Sequence, residues 1–367
     1  MLISGGTPRE SGARTMPPAR RPDRKRPSVA VCVPVRDERR HLTTLVAALA
    51  GQQSLASPFA LCLAFDGAQP DSQATVQAMS VDAPFTLHCT TIERHDTPNA
   101  GRVRRAAMGL GVECVGRGQD ARLLTTDADS APAPDWIVRA LAALSRVDVV
   151  AGRIQRRQPH RLGPRYRLEN YLDRLYRLER QVDPIDYEPT GAYPGIGGAN
   201  LGCRAPVYLA LGGFAASSCD EDTNFVQAAR QAGYRVARDP SVRVATSSRR
   251  QGRARGGLAD ALRDSVDVDT MQVEHPADAL ARYQRQALAR RAFDARRSSG
   301  AMAMLASRLS LPVARVQRVA DDAASADAFS LALAADRPAR QVVLSEAERL
   351  LDAIEFDHRA LQTATAP

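Results

Sequence analysis

From residue 29 to residue 126 two patterns alternate along the chain: short runs that are apolar throughout, and longer stretches in which apolar residues return every three or four positions. Val29-Ala30-Val31-Cys32-Val33-Pro34-Val35 and Phe59-Ala60-Leu61-Cys62-Leu63-Ala64-Phe65 are of the first kind. They are short for helices and show no polar alternation, which is how a strand buried on both faces reads. Thr86 to Ile92 and Arg122 to Thr126 predict a third and a fourth strand. Between these runs, Leu42, Leu45, Val46 and Leu49 recur at helical spacing up to Gly51, a helical stretch begins at Ser72, and Asn99 to Arg105 opens another helix. Strands alternating with helices imply an α/β fold, a doubly wound and mostly parallel sheet flanked by helices, with ligands beyond the carboxyl ends of its strands.

Past residue 131 the pattern loosens. Trp136, Ile137, Ala140, Leu141 and Leu144 predict a helix, and Val147 to Ile154 a strand. Leu168, Tyr171, Leu172, Leu175 and Leu178 follow at helical spacing; the stripe reads chiefly as packing, with its tyrosines as candidate walls of a sugar pocket. Gly191 to Asn200 carries too many glycines for packing and reads as a loop where backbone approaches a ligand. Cys219-Asp220-Glu221-Asp222-Thr223 opens a helix through Ala232, and acids there are ordinary helix decoration. Arg238 to Ala245 is strand-like, and residues 247–257 form a basic loop with Arg249 and Arg253 among glycines. From Leu258 the pattern is helical, with Ser345 to Glu348 as a capping box. The expected organisation is a disordered basic tail at 1–27, one domain at 28–257 with a nucleotide-binding half (28–130) and an acceptor half (131–257), and a helical extension at 258–367.

Two places on this frame carry candidate chemistry. Asp127-Ala128-Asp129 follows the strand ending at Thr126, and Pro132 and Pro134 stop the strand from continuing. Two carboxylates at a strand's carboxyl end can hold a hard cation such as Mg²⁺ or Mn²⁺, which in turn holds a diphosphate. Asp66-Gly67 ends the second strand; it reads equally as a turn and as a carboxylate that accepts hydrogen bonds from a nucleotide base. Either motif alone is common in loops.

Composition narrows the classes. The 367 residues, 44% of them hydrophobic, suffice for one large domain with an appendage. No apolar run approaches the roughly 18 residues that span a bilayer, and no apolar segment follows the first charges, so a cytoplasmic protein is expected. The six cysteines are scattered without a Cys-x-x-Cys, as buried reduced thiols would be. The net charge of +9 is concentrated: through Pro27 seven basic residues face Glu10 and Asp23. Lys25 is the chain's one lysine, so this basicity is arginine usage rather than a nucleic-acid patch. The basic tail suits peripheral contact with an anionic membrane, at the inner face.

Taken together and in order, these motifs resemble the family-2 glycosyltransferases of the GT-A fold, over roughly residues 29–255. The first strand and turn at 31–38, with Pro34, Arg36 and Glu38, look like the family's opening. Asp66 looks like its base-binding aspartate, Asn99 to Arg105 with Arg102 its Asn-x-Gly-Lys/Arg region, and Asp127-Ala128-Asp129 its metal motif. Gly197-Gly198-Ala199-Asn200 looks like its Gly-Gly-Asn loop, and Gly212-Gly213-Phe214 with Glu221-Asp222 its last pair of signatures. The resemblance implies an inverting, metal-dependent transfer from a nucleotide-diphosphate sugar to an unidentified acceptor. It makes Asp222 the base with Glu221 beside it, and Asp129 and Asp127 the metal ligands. Pro34, Arg36, Glu38, Asp66, Arg102, Asp127 and Asn200 would bind the donor, and Gly198, Tyr193, Arg249 and Arg253 would serve the acceptor or a lid. Three positions depart from the family: Phe65 stands for an acid, Arg102 for a lysine, and Thr246-Ser247 for a histidine. A sugar-phosphate nucleotidyltransferase is the alternative enzyme, although Pro34-Val35-Arg36-Asp37 is not its glycine-rich loop. A non-catalytic sugar-nucleotide binder, a membrane-surface adaptor and a retaining GT-A transferase remain open.

Overall fold

The computed structural model describes residues 26–156, 164–247, 270–334 and 338–364. The expected tail before residue 26 and the lid residues Arg249 and Arg253 lie outside them.

The first apolar run is strand β1 (Val29–Val35), followed by helix α1 (Arg39–Ala50), β2 (Phe59–Asp66), α2 (Pro70–Met79), β3 (Phe85–Ile92), α3 (Ala100–Val115) and β4 (Arg122–Thr125). β1 pairs in parallel with β2 and β4, and β2 with β3. Their apolar residues point both ways: Val31, Val33 and Leu61 join one core with α1, whereas Cys32, Cys62 and Ala60 join a second with α3. Leu42, Leu45, Val46 and Leu49 of α1 are all fully buried, each contributing about 1.5–3 kcal/mol. Leu45→Ala would open a cavity costing about 2–5 kcal/mol. At the start of α3, Asn99 caps the helix by accepting from the Arg102 backbone N–H at 2.8 Å, and its Nδ2 donates to the Ala216 carbonyl at 3.0 Å. One side chain thereby fixes both the helix start and the loop that packs on it.

The second half completes the sheet with β5 (Ala131–Pro132), β6 (Val149–Arg156), β7 (Leu201–Arg204) and β8 (Val236–Thr246). Helices α4 (Trp136–Leu144), α5 (Pro164–Val182), α6 (Ala205–Ala210) and α7 (Glu221–Gln231) pack around it. The order is β3-β2-β1-β4-β7-β6-β8-β5, with β7 antiparallel to both neighbours and β6 parallel to β8. This is the mixed, mostly parallel α/β sheet flanked by helices expected of a GT-A-like fold.

Beyond residue 270 stand β9 (Gln272–Glu274), α8 (Pro276–Ala292), α9 (Ser299–Leu309), α10 (Val313–Asp322), α11 (Ala326–Ala334), β10 (Gln341–Val343) and α12 (Leu344–Ala364). The extension is helical but for the antiparallel pair β9–β10, which the periodicity did not predict. α12 starts at Leu344, directly out of β10, so Ser345 lies inside the helix and is not its cap. The extension is docked on the domain before it. Tyr171, Leu175 and Leu178 of α5 share a core with Tyr283 and Leu351, and Arg290 bridges Asp183 and Asp327. Among the described residues no helix is long and apolar enough to cross a membrane. All six cysteines are free, and Cys32, Cys62 and Cys203 are buried as expected; Cys89 is not, because the outer face of edge strand β3 is open.

Candidate active site

The carboxyl ends of β1, β2 and β4 open into a cavity of about 1110 Å³. On one side it is lined by Pro34, Arg36, Glu38, Asp66, Arg104, Asp127 and Asp129, with Thr246 and Ser247 at the end of β8. Tyr193, Gly197, Gly198, Glu221 and Asp222 line it as well, and α5 contributes Tyr166, Glu169, Leu172 and Asp173. The predicted strand-end acids and the predicted acid pair of α7 therefore border one space.

What joins them is Arg104, a residue the sequence did not single out. The residue is buried, at 4% exposure. Its Nε donates to Glu221 Oε1 at 3.1 Å, its Nη2 to Asp127 Oδ1 at 2.9 Å, and its Nη1 to Thr125 Oγ1 at 3.0 Å and the Gly198 carbonyl at 2.8 Å. Burial opposes the guanidinium charge, but the Asp127 and Glu221 carboxylates outweigh it and push the Arg104 pKa above the ordinary arginine value. Gly198 must be glycine for this to work, since a Cβ there would overlap the guanidinium. The Gly198 N–H in turn donates to Asp222 Oδ2 at 2.6 Å, and Asp222 Oδ1 accepts from the Thr223 N–H at 2.7 Å. The Asp222 carboxylate is thus fixed at the start of α7 by two backbone N–H groups.

Asp66 is 1% exposed and accepts from Arg36 Nη1 at 2.6 Å and Arg102 Nη2 at 3.2 Å. Gln69 holds the same corner: its Nε2 donates to the Val35 and Asp66 carbonyls, and its Oε1 accepts from the Asp37 N–H. Arg102 does not itself line the cavity and meets it through Asp66. Glu38 pairs with His41 Nδ1 at 2.9 Å at the start of α1.

Asn200, expected to bind the donor, does not line the cavity. At 1% exposure, its Oδ1 accepts from Trp136 Nε1 at 2.8 Å and its Nδ2 donates to the Arg153 and Val242 carbonyls at 3.0 and 2.9 Å. Both amide protons are used on protein, so Asn200 braces α4, β6 and β8 beneath the glycine loop. Tyr193 does reach the cavity. Its hydroxyl donates to the Gly152 carbonyl, and the Arg153 guanidinium lies over its ring at 5.2 Å.

The donor set for a metal is thin. Asp129 Oδ1 accepts from Thr246 Oγ1 at 3.3 Å, and Thr246 also accepts from Ser130 Oγ at 3.2 Å. Among the described residues no group of three or more His, Cys, Asp or Glu could hold an ion by itself. Two carboxylates do fit a Mg²⁺-like cation that takes its remaining ligands from water and a phosphorylated substrate. The charge balance points the same way: four arginines face nine carboxylates along the cavity wall. Like charges about 4 Å apart repel by about 4 kcal/mol at an effective dielectric near 20, so a cation held here would ease the approach of an anionic ligand.

No protein-family model matches the chain, and no curated protein does. Among solved structures, S. aureus TarS 1–349 in complex with UDP-GlcNAc is similar at 13% identity, covering 83% of this chain and 89% of that one, with a TM-score of 0.46. A longer TarS structure is matched over 43% of its length, at 14% identity and a TM-score of 0.43. The mannosyltransferase PcManGT from Pyrobaculum calidifontis, in complex with GDP-Man and Mn2+, is similar at 18% identity over 85% of this chain and 88% of that one, with a TM-score of 0.46. These are loose likenesses.

Proposed function

We propose that this protein is a glycosyltransferase that moves a sugar from a nucleotide-diphosphate sugar to an acceptor hydroxyl, with a divalent cation and with inversion at the anomeric carbon. The observation that carries the reading is the juxtaposition in one cavity of a strand-end carboxylate pair, Asp127 and Asp129, with a separately held carboxylate, Asp222. Asp127 and Asp129 would hold Mg²⁺ or Mn²⁺, which when bound neutralises charge developing on the leaving diphosphate. Asp222 takes the proton of the acceptor hydroxyl as the new bond from its oxygen to the anomeric carbon forms. The bond from that carbon to the diphosphate breaks in the same step, and its electron pair leaves with the diphosphate. Asp66 is the group for the nucleotide base, since its carboxylate has acceptor sites beyond those used by Arg36 and Arg102. Glu221 acts through Arg104, and Pro34, Arg36 and Glu38 shape the donor's corner. The catalytic unit is residues 28–257, with the tail before it dispensable for chemistry.

The test is a thermal-shift panel of UDP, GDP, TDP and ADP sugars with and without Mn²⁺, followed by NMR of the product's anomeric configuration. A ligand that binds only the folded state raises its stability. One nucleotide class should stabilise the protein only with Mn²⁺, and the product should show the opposite configuration to the donor. Equal response to all four nucleotides would remove Asp66's role. A retained configuration would remove the Asp222 mechanism.

A further inference from the structure

We propose that the wall made by α5 and the end of β6 is a subsite for a neutral carbohydrate acceptor. The inference rests on the glycosyltransfer reading above and adds the class of acceptor. Tyr166, Glu169, Leu172 and Asp173 follow at intervals of three and four on α5 and all line the cavity, while the opposite face of the helix is buried with the C-terminal extension. Tyr166 and Leu172, each 40% exposed, are large apolar surfaces that nothing in the fold requires at a cavity edge. A sugar ring's C–H face covers such surface, while its hydroxyls seek polar groups at the rim.

The polar groups here come as balanced pairs. Arg153 Nη2 lies 3.6 Å from Asp173 Oδ2, and Arg156 Nη2 donates to Glu169 Oε2. Carboxylates that accept and guanidinia that donate, alternating within one patch, can pair with both ends of a hydroxyl dipole. They offer no surplus positive charge to an acceptor phosphate, and the acidic start of α7, which lines the same cavity, repels one. Burial raises the Asp173 pKa above the ordinary aspartate value, and Arg153 and Arg177 oppose the shift; a carboxyl of this kind also donates as well as accepts as pH falls.

The probes are the methyl glycosides of glucose, galactose, mannose and N-acetylglucosamine, each set against its sugar 1-phosphate. Binding is read by ligand-observed NMR on the full chain, with UDP- and GDP-sugar affinity in Mn²⁺ measured in parallel. At least one methyl glycoside should bind better than its phosphate. Tyr166→Ala should raise its dissociation constant about tenfold, the scale of one lost stacking contact. Glu169→Gln, which keeps the shape, should weaken it less, and both should leave donor affinity unchanged. Preference for the phosphates, no glycoside binding, or binding indifferent to both substitutions would each overturn the proposal. Absence of any nucleotide-sugar binding would instead strike at the transferase reading, since the glycoside measurement needs no donor.

Discussion

Two walls of one cavity are built on different terms. At the strand ends, carboxylates are immobilised by a guanidinium that is itself buried: Arg104 and Glu221 keep only 5% and 6% of their side chains exposed. On the α5 wall the Arg153–Asp173 pair is 39% and 35% exposed. Breaking a buried pair leaves an uncompensated charge and costs about 3–5 kcal/mol, whereas an exposed pair is worth about 0–1. The first wall is therefore preorganised at a risk to stability, whereas the Arg153–Asp173 pair of the second can be changed cheaply; Arg156, with 11% of its side chain exposed, lies between the two cases. On the proposed reading, the fixed wall would hold the leaving group and the looser one the acceptor.

The comparison breaks most visibly at Asp222. Asp222→Asn keeps the bond from the Gly198 N–H but cannot take a proton, so transfer should fall roughly a hundred- to ten-thousand-fold. Donor affinity, measured by calorimetry, should stay at the wild-type value. Next comes the contrast between arginines. Arg104→Met should lower unfolding free energy by about 3–5 kcal/mol in urea titrations, and Arg153→Ala by under about 1. Equal costs would erase the distinction between the walls. Asp129→Ala should leave the fold intact but abolish the Mn²⁺-dependent part of the donor's thermal shift. In the wild type that stabilisation is about 2.7 kcal/mol when ligand is at a hundred times its dissociation constant.

The smallest effect lies away from the cavity, at an open ion pair of the kind the α5 wall uses. Hydrogen bonds from Arg340 hold the Asp278 carboxyl down to about 2. Because the folded value is depressed, the stabilisation is present above the unfolded value near about 3.9 and is lost as pH falls toward 2. NMR titration should find Asp278 low in the wild type and ordinary in Arg340→Ala. The pair is exposed enough that the stability change should be within about 1 kcal/mol.

The strand-end wall was legible in the sequence because its rule is local: an apolar run, then acids, then proline breaks. β1, β2 and the Asp127–Asp129 turn are where the hydrophobic pattern puts them, within a residue or two. Arg104 does not stand out from Arg102 in the sequence because the letters Arg102-Val103-Arg104-Arg105 do not say which arginine faces inward. Helix phase does: Arg104 shares the buried face of α3 with Ala107, Met108 and Gly111. Asn200 reads from the sequence as a donor contact because its partners in the fold, Trp136 and two carbonyls, are distant along the chain. Strand β7 hid because Leu201-Gly202-Cys203-Arg204 is four residues with a glycine and a charge, and β9 and β10 are shorter still. Leu172 belonged to the stripe read as packing, and only the docking of the extension on α5 decides which side of that helix is left to the cavity.

The Thr246 hydroxyl that donates to Asp129 has a consequence for the conditions under which this site can work. An imidazole near a metal would compete for protons around pH 6.5, whereas a threonine hydroxyl has none to lose in that range. No histidine stands among the described residues that line the cavity; its titrating groups are carboxylates, arginines, tyrosines and Cys219. None of these has its ordinary pKa between about 5 and 8. On the proposed reading the rate should then show no step from an imidazole in the cavity wall, and His41, which reaches that wall only through Glu38, is the residue to replace if one appears.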